Sequence, residues 1–119
     1  MQVSAKTLSH KQTTDLINHL ATAICEIQKN DDAQEFIAGF LTSTEQVVLA
    51  KRLSIGLMLQ KKVAYEEIKR TLNVSSATIS GVSVMMKTPG FMLAIQKIAE
   101  EEWAEAQLNK VSRLFRKKK

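Results

Sequence analysis

An all-α fold, organised as a single helical domain over residues 1–119, is what this sequence predicts, on three observations. Apolar residues recur at three- and four-residue steps along most of the chain, the mark of one helical face, and no stretch reads as a convincing strand. The 45% apolar content is ordinary for a folded domain, and 119 residues suffice to bury one modest core. The only proline, in "KTPG" (87–90), marks a break ahead of a last long helical pattern.

From Thr13 onward, Leu16, Ile17, Leu20, Ala23, Ile24 and Ile27 line one face of a first helix. Cys25 lies on that apolar face and reads as a small buried residue rather than a nucleophile. "QKNDDA" (28–33) interrupts the pattern, with Asp31 or Asp32 as the expected N-cap of a short helix through Phe36, Ile37 and Phe40. "TSTE" (42–45) is a capping box, in which Thr42 accepts from the Glu45 N–H while the Glu45 side chain returns to the Thr42 N–H. The helix it opens is expected to reach about Gln60. Val47, Val48, Leu49, Leu53, Ile55, Leu57, Met58 and Leu59 nearly encircle it, more apolar surface than one chain readily buries, which points to a homodimer. The last helix is expected to start near Phe91 and to continue past Trp103 towards Phe115, with Glu100–Glu102 and Glu105 on a solvated face. "RLFRKKK" (113–119) forms a basic tail that complements a helix C-terminus and is also suited to meet phosphate.

The formal charge of +5 is unevenly spread. Residues 1–40 carry three Lys against five Asp/Glu, residues 41–90 seven Lys/Arg against three Glu, and residues 91–119 seven Lys/Arg against four Glu. The basic excess therefore sits in the second and third segments, where a polyanionic partner is expected. No apolar run approaches the roughly 18 residues of a membrane span, and the start lacks a basic-then-apolar signal, so no membrane role is expected. The single Cys25 excludes an internal disulfide and suits a reducing cytoplasm. His10 and His19 lack partners at metal-ligand spacing, and there is no glycine-rich phosphate loop or nucleophile elbow. Neither a cofactor nor an enzyme activity is expected.

"AYEEIKRTLNVSSATISGVSVMM" carries the functional signal, a helix-turn-helix over about residues 65–86. Ile68 and Leu72 lie four apart on a short helix. Asn73 tolerates the left-handed conformation of a tight turn, Val74 points inward, and Ser75 caps the next helix. Ile79, Val82 and Met86 line the buried side of that second helix. Ser75, Ser76, Ala77, Thr78, Ser80 and Gly81 are then placed to meet double-stranded DNA through small side chains near the helix N-terminus. Lys69 and Arg70, on the preceding helix, are the expected phosphate contacts. The second helix holds no Arg or Gln for bidentate base reading, and the other reading of the segment is a helical interaction module without specific DNA binding.

"FLTSTEQVVLAKRLSIGLML" followed by "YEEIKRTLNVSSATIS" resembles the Trp repressor and Trp-repressor-like helix-turn-helix family over roughly residues 40–98. The resemblance rests on Leu41-Thr42, Glu45, Leu49 and Arg52, and on the segment Leu72 to Ser80. It implies an intertwined homodimer with two helix-turn-helix heads that binds operator DNA and regulates transcription. It also implies an effector pocket in which Thr42, Arg52 and Thr78 match the family's ligand-holding residues. The family's stacking Arg, the Gly after it and a Ser one turn on are Gly81, Val82 and Met85 here. Losing the Arg removes a stacking plane and a charge-assisted donor, and the added Val and Met are expected to fill space. Tryptophan is therefore not the expected effector, and Arg52 is expected instead to form an ion pair or meet phosphate.

Overall fold

A helix leaves its first four N–H groups without internal partners, so where it begins depends on what satisfies them. The computed structural model describes residues 7–117, apart from the side chains of residues 103, 111 and 114–117, and holds six helices among them. α1 (His10–Glu26) opens on a capping box: Ser9 Oγ accepts from Gln12 N at 3.1 Å, and Gln12 Oε1 accepts from Ser9 N at 2.9 Å. This start lies three residues ahead of the periodicity, because the polar first turn carries no apolar signal. α2 (Asn30–Phe40) follows Lys29, with no side-chain cap. Asp31 and Asp32, expected to cap it, instead lie within its first turn, where carboxylates meet the positive end of the helix dipole.

α3 (Ser43–Gln60) begins at the expected capping box. Glu45 N donates to Thr42 Oγ1 at 3.1 Å, and Thr42 N donates to Glu45 Oε1 at 2.8 Å. The Thr42 backbone N–H, then its hydroxyl, holds the Glu45 carboxyl below its ordinary pKa. α4 (Tyr65–Leu72), α5 (Ser76–Met85) and α6 (Pro89–Lys117) complete the chain. α6 starts two residues earlier than expected, because proline costs no hydrogen bond in a first turn. Thr88 Oγ1 accepts from Phe91 N there, at 3.4 Å. Residues 113–117 of the basic tail continue α6, whereas Lys118 and Lys119 lie outside the described residues.

Contacts divide the chain into two units, Met1–Gln46 and Val47–Lys119. In the first, α1 and α2 bury no residue: Leu16, Ile17, Leu20, Ile24, Ile37 and Phe40 are all exposed. Phe36 and Phe40 stack with ring centroids 4.9 Å apart. Cys25 is exposed, not buried as its position on an apolar face suggested, because that face is open.

The second unit owns the core. Ile55 of α3, Ile68 of α4, and Ile79 and Val82 of α5 form a buried cluster. Met58, Leu59, Val63, Leu72, Val74, Met86 and Phe91 pack around it, partly buried. Only one side of α3 is used, since Ile55 and Gly56 are buried while Val47, Val48 and Leu49 stay exposed. α3 ends in a Schellman motif, in which Val63 N donates to Met58 O and Lys62 N donates to Leu59 O, both at 3.0 Å. The motif needs a left-handed residue, and Lys62 supplies it at φ 62°. At the far end of this unit, Glu100, Glu101, Glu102 and Glu105 are exposed as expected, and Glu102 pairs with Lys61 at 3.0 Å.

Two substitutions test this packing. A Cβ at Gly56 would lie 2.5 Å from Phe91 Cε1 and 3.0 Å from Ile95 Cδ1, so Gly56→Ala must displace the Phe91 ring. Overpacking of this kind outweighs the better helix propensity of alanine, and a net loss of about 1 kcal/mol is expected in urea unfolding. Lys62→Gly relieves the left-handed strain at the Schellman position and is expected to raise stability by roughly 0.5–1 kcal/mol in the same assay. A loss of stability there would mean that the Lys62 side chain, not the turn, governs the site.

Candidate nucleic-acid interface

α4 is short and strongly two-sided, with Ile68 fully buried and Leu72 half-buried beneath a charged outer face. Glu66 and Glu67 occupy its first turn and Lys69 and Arg70 its last, the arrangement that its dipole favours. It ends at Asn73, whose φ of 54° and ψ of 58° are left-handed, as the turn requires. Val74 N donates back to Lys69 O at 3.4 Å, and Val74 is half-buried against the core cluster. Lys51 of α3 reaches over this turn, its Nζ donating to Asn73 O at 3.5 Å.

Ser75 caps α5, its Oγ accepting from Thr78 N at 3.1 Å. The Ser75 and Thr78 hydroxyls also bond to each other at 2.9 Å. With Ile79 and Val82 buried, Ser75, Ser76, Ala77, Thr78, Ser80 and Gly81 all lie exposed. The structure thus leaves exposed all six positions expected to face a groove. Of the two cations expected to meet phosphate, Lys69 lies 3.7 Å from Glu66, and Arg70 pairs with Glu67. The Arg70 guanidinium holds the Glu67 carboxyl below its usual range, and Glu67 in turn raises Arg70. Both are exposed i,i+3 pairs, which are weak in water and exchange readily for another anion.

Between α3 and α5 lies a cavity of about 440 Å³. α3 contributes Val48, Lys51, Arg52 and Ile55, the turn Val74, and α5 Thr78, Gly81, Val82 and Met85. Arg52 and Thr78 of the expected effector pocket therefore meet at one cavity. Thr42 belongs to the other unit, where it closes the capping box of α3. Val82 and Met85 both line this cavity, Val82 buried with the core cluster and Met85 exposed, and Gly81 adds no side chain. Arg52 forms no ion pair among the described residues, and no carboxylate lines this cavity. Lys51 escaped the sequence reading altogether. Its contact lies 22 residues away, and only the folded turn brings Asn73 O within reach. No metal-binding group of His, Cys, Asp and Glu occurs among the described residues.

Comparison with known proteins supplies relatives for this arrangement. A family model described as Trp repressor protein matches residues 15–99, which takes in the helix-turn-helix and the start of α6. A Trp operon repressor homolog of Haemophilus influenzae is 39% identical over 67 residues, covering 54% of this chain and 66% of the relative. One of Histophilus somni is 37% identical over 79 residues, covering 64% of this chain and 66% of the relative. One of Mannheimia succiniciproducens is 37% identical over 71 residues, covering 57% and 70%. The chain thus spans about two thirds of the length of these relatives. No solved structure matches it.

Proposed function

The chain belongs to the Trp repressor family, and from that membership we propose that it is a sequence-specific transcriptional regulator that binds double-stranded DNA. In this reading it acts in the cytoplasm as a homodimer and does not respond to tryptophan. The observation that carries the reading is the exposed start of α5, where five small side chains and Gly81 follow a capped helix start. Small hydroxyl and methyl groups permit close approach to a groove, and the free N–H groups of a helix start favour phosphate. Ser75, Ser76, Ala77, Thr78, Ser80 and Gly81 are the proposed groove contacts, and Lys69 and Arg70 the proposed phosphate contacts.

Dimerisation is supported by the apolar surface that one chain leaves open. Leu16, Ile17, Leu20 and Ile24 of α1 and Val47, Val48 and Leu49 of α3 are exposed, each between 39% and 61%. A second copy covering these stripes would give α1 the core it lacks and make residues 1–119 one domain. A second reading, a helical interaction module without specific DNA recognition, has one observation in its favour. α5 carries no Arg, Lys, Asn or Gln, the side chains that read base edges in pairs of hydrogen bonds.

Gel-shift titration over a range of salt concentrations separates the two readings. Thr78→Asp is expected to abolish DNA binding while the protein stays folded. Residue 78 occupies the third position of α5, where a carboxylate suits the helix dipole but meets phosphates and base acceptors in the groove. Lys69→Ala and Arg70→Ala are expected to weaken binding to all sequences alike, each lowering the salt slope by about 1. A chain truncated before Arg113 serves as the control for the basic tail. Normal binding by Thr78→Asp, with binding lost on truncation, would make the helix-turn-helix a scaffold and the tail the binding element.

Two solution measurements test the remainder of the reading. Sedimentation is expected to show a dimer at micromolar concentration, and a stable compact monomer would contradict the assembly. L-tryptophan at millimolar concentration is expected to leave the melting temperature unchanged, since a ligand of the folded state must raise it. A saturable rise would overturn the argument from Gly81, Val82 and Met85.

A further inference from the structure

We propose that the second half of α6 pairs with the same stretch of a second copy, the two helices running antiparallel. The family match ends at residue 99 whereas α6 continues to Lys117, so this stretch lies beyond the family-matched residues. Its sequence is built in charged blocks. Residues 100–105 hold four glutamates and no basic residue, residues 106–109 no charge, and residues 110–119 six Lys/Arg and no acid. In a parallel pair, like charges would meet at both ends, whereas in an antiparallel pair each acidic block lies against the other copy's basic block. A two-fold contact requires a surface that complements itself, and this charge order does so in one direction only.

An apolar line joins the two blocks. Ala104, Leu108, Val111 and Phe115 follow at steps of four, three and four, the spacing of a paired-helix seam. At about 100° per residue, these positions lie within about 40° of the side of α6 opposite Ile95, the residue that α6 buries in the core of its own chain. Glu102, paired with Lys61 at 3.0 Å, marks the same inward side as Ile95. The chain's own core therefore does not cover the seam: Ala104 is exposed, and Leu108 is 67% exposed. An antiparallel register centred between Asn109 and Lys110 sets Leu108 opposite the second copy's Val111, and the small Ala104 opposite its large Phe115. The same register brings Glu101 beside the second copy's Lys117. A lipid surface would also accept an apolar line flanked by cations, but four glutamates on the same helix oppose an anionic membrane.

Zero-length carbodiimide crosslinking of the full chain, read by mass spectrometry of the linked peptides, tests the pairing. Glu101 and Lys117 stand on one helix, roughly 24 Å apart at about 1.5 Å per residue, so a link between them must join two copies. That link is expected at micromolar protein, and is expected to fall several-fold at about 1 M salt, where the Debye length is only about 3 Å. Leu108→Asp sets a carboxylate in the seam and is expected to cut the link about tenfold or more. Because Leu108 is exposed, circular dichroism should show this variant folded. Ala106→Asp adds the same charge on the side of the helix away from the seam and is expected to leave the link intact. No Glu101–Lys117 link, a link unchanged by Leu108→Asp, or links from Lys117 to carboxylates of α2 instead would each overturn the proposal. Co-sedimentation with phosphatidylglycerol vesicles in the absence of the link would overturn it in favour of a lipid surface. A sedimenting dimer without the link would overturn it and leave the assembly through α1 and α3 standing. Loss of DNA binding in gel shifts with the link present would instead remove the regulatory reading and leave the pairing.

Discussion

The orientation of α5 depends on four aliphatic side chains. Ile55, Ile68, Ile79 and Val82 come from three helices and meet in one buried cluster. Each fully buried chain of this size contributes roughly 1.5–3 kcal/mol relative to exposure. Because Ile and Val are branched at Cβ, they hold few rotamers, and the cluster therefore fixes the rotation of α5 about its own axis. That rotation decides which residues of α5 are open. With Ile79 and Val82 inward, the small residues between Ser75 and Gly81 have no alternative to the exposed side. The surface proposed to meet DNA is thus a consequence of the core and needs no stabilising contact of its own.

The turn between α4 and α5 transmits this constraint over very few residues. Asn73 reverses the chain at a left-handed residue, Val74 drops onto the cluster, and Ser75 receives the Thr78 N–H. Lys51 of α3 reaches the same turn through Asn73 O, so the helix that carries the cavity also touches the hinge of the motif. The cavity follows from the same geometry. Val82 is drawn into the core, Gly81 offers no side chain, and a space remains below α5 that α3 walls with two cations. Cavity and open face adjoin on one helix, and Thr78 and Gly81 belong to both.

The unit formed by α1 and α2 contrasts with this arrangement. Its first helix opens on the Ser9–Gln12 box, yet neither α1 nor α2 buries a residue. Local hydrogen bonding forms these helices without a core to place them, and their apolar stripes stay available to another surface. The exposure of Cys25, Leu16 and Ile24 belongs to the same circumstance. A hydrophobic stripe read from a sequence indicates what a helix must cover, and says nothing of whether its own chain supplies the cover.

Helical class, the Thr42–Glu45 box, the left-handed Asn73, the Ser75 cap and the register of Ile79 and Val82 were all legible in the sequence. Each rests on residues no more than a few positions apart, whose side chains act on their own backbone or repeat with the period of the helix. Where that local signal was absent or ambiguous, the reading slipped: Lys29, not an aspartate, precedes α2. The end of α3 at Gln60 was legible, whereas nothing local marked Lys62 for a conformation usually left to glycine. Only the tertiary structure decided that Lys51 meets Asn73, that Met85 stays exposed, and that Arg52 stands at a cavity with no carboxylate to pair with. Those facts depend on how helices distant in sequence pack in space. A sequence specifies the face that each helix must bury, whereas the empty volume and unpaired charges that remain exist only once the helices have met.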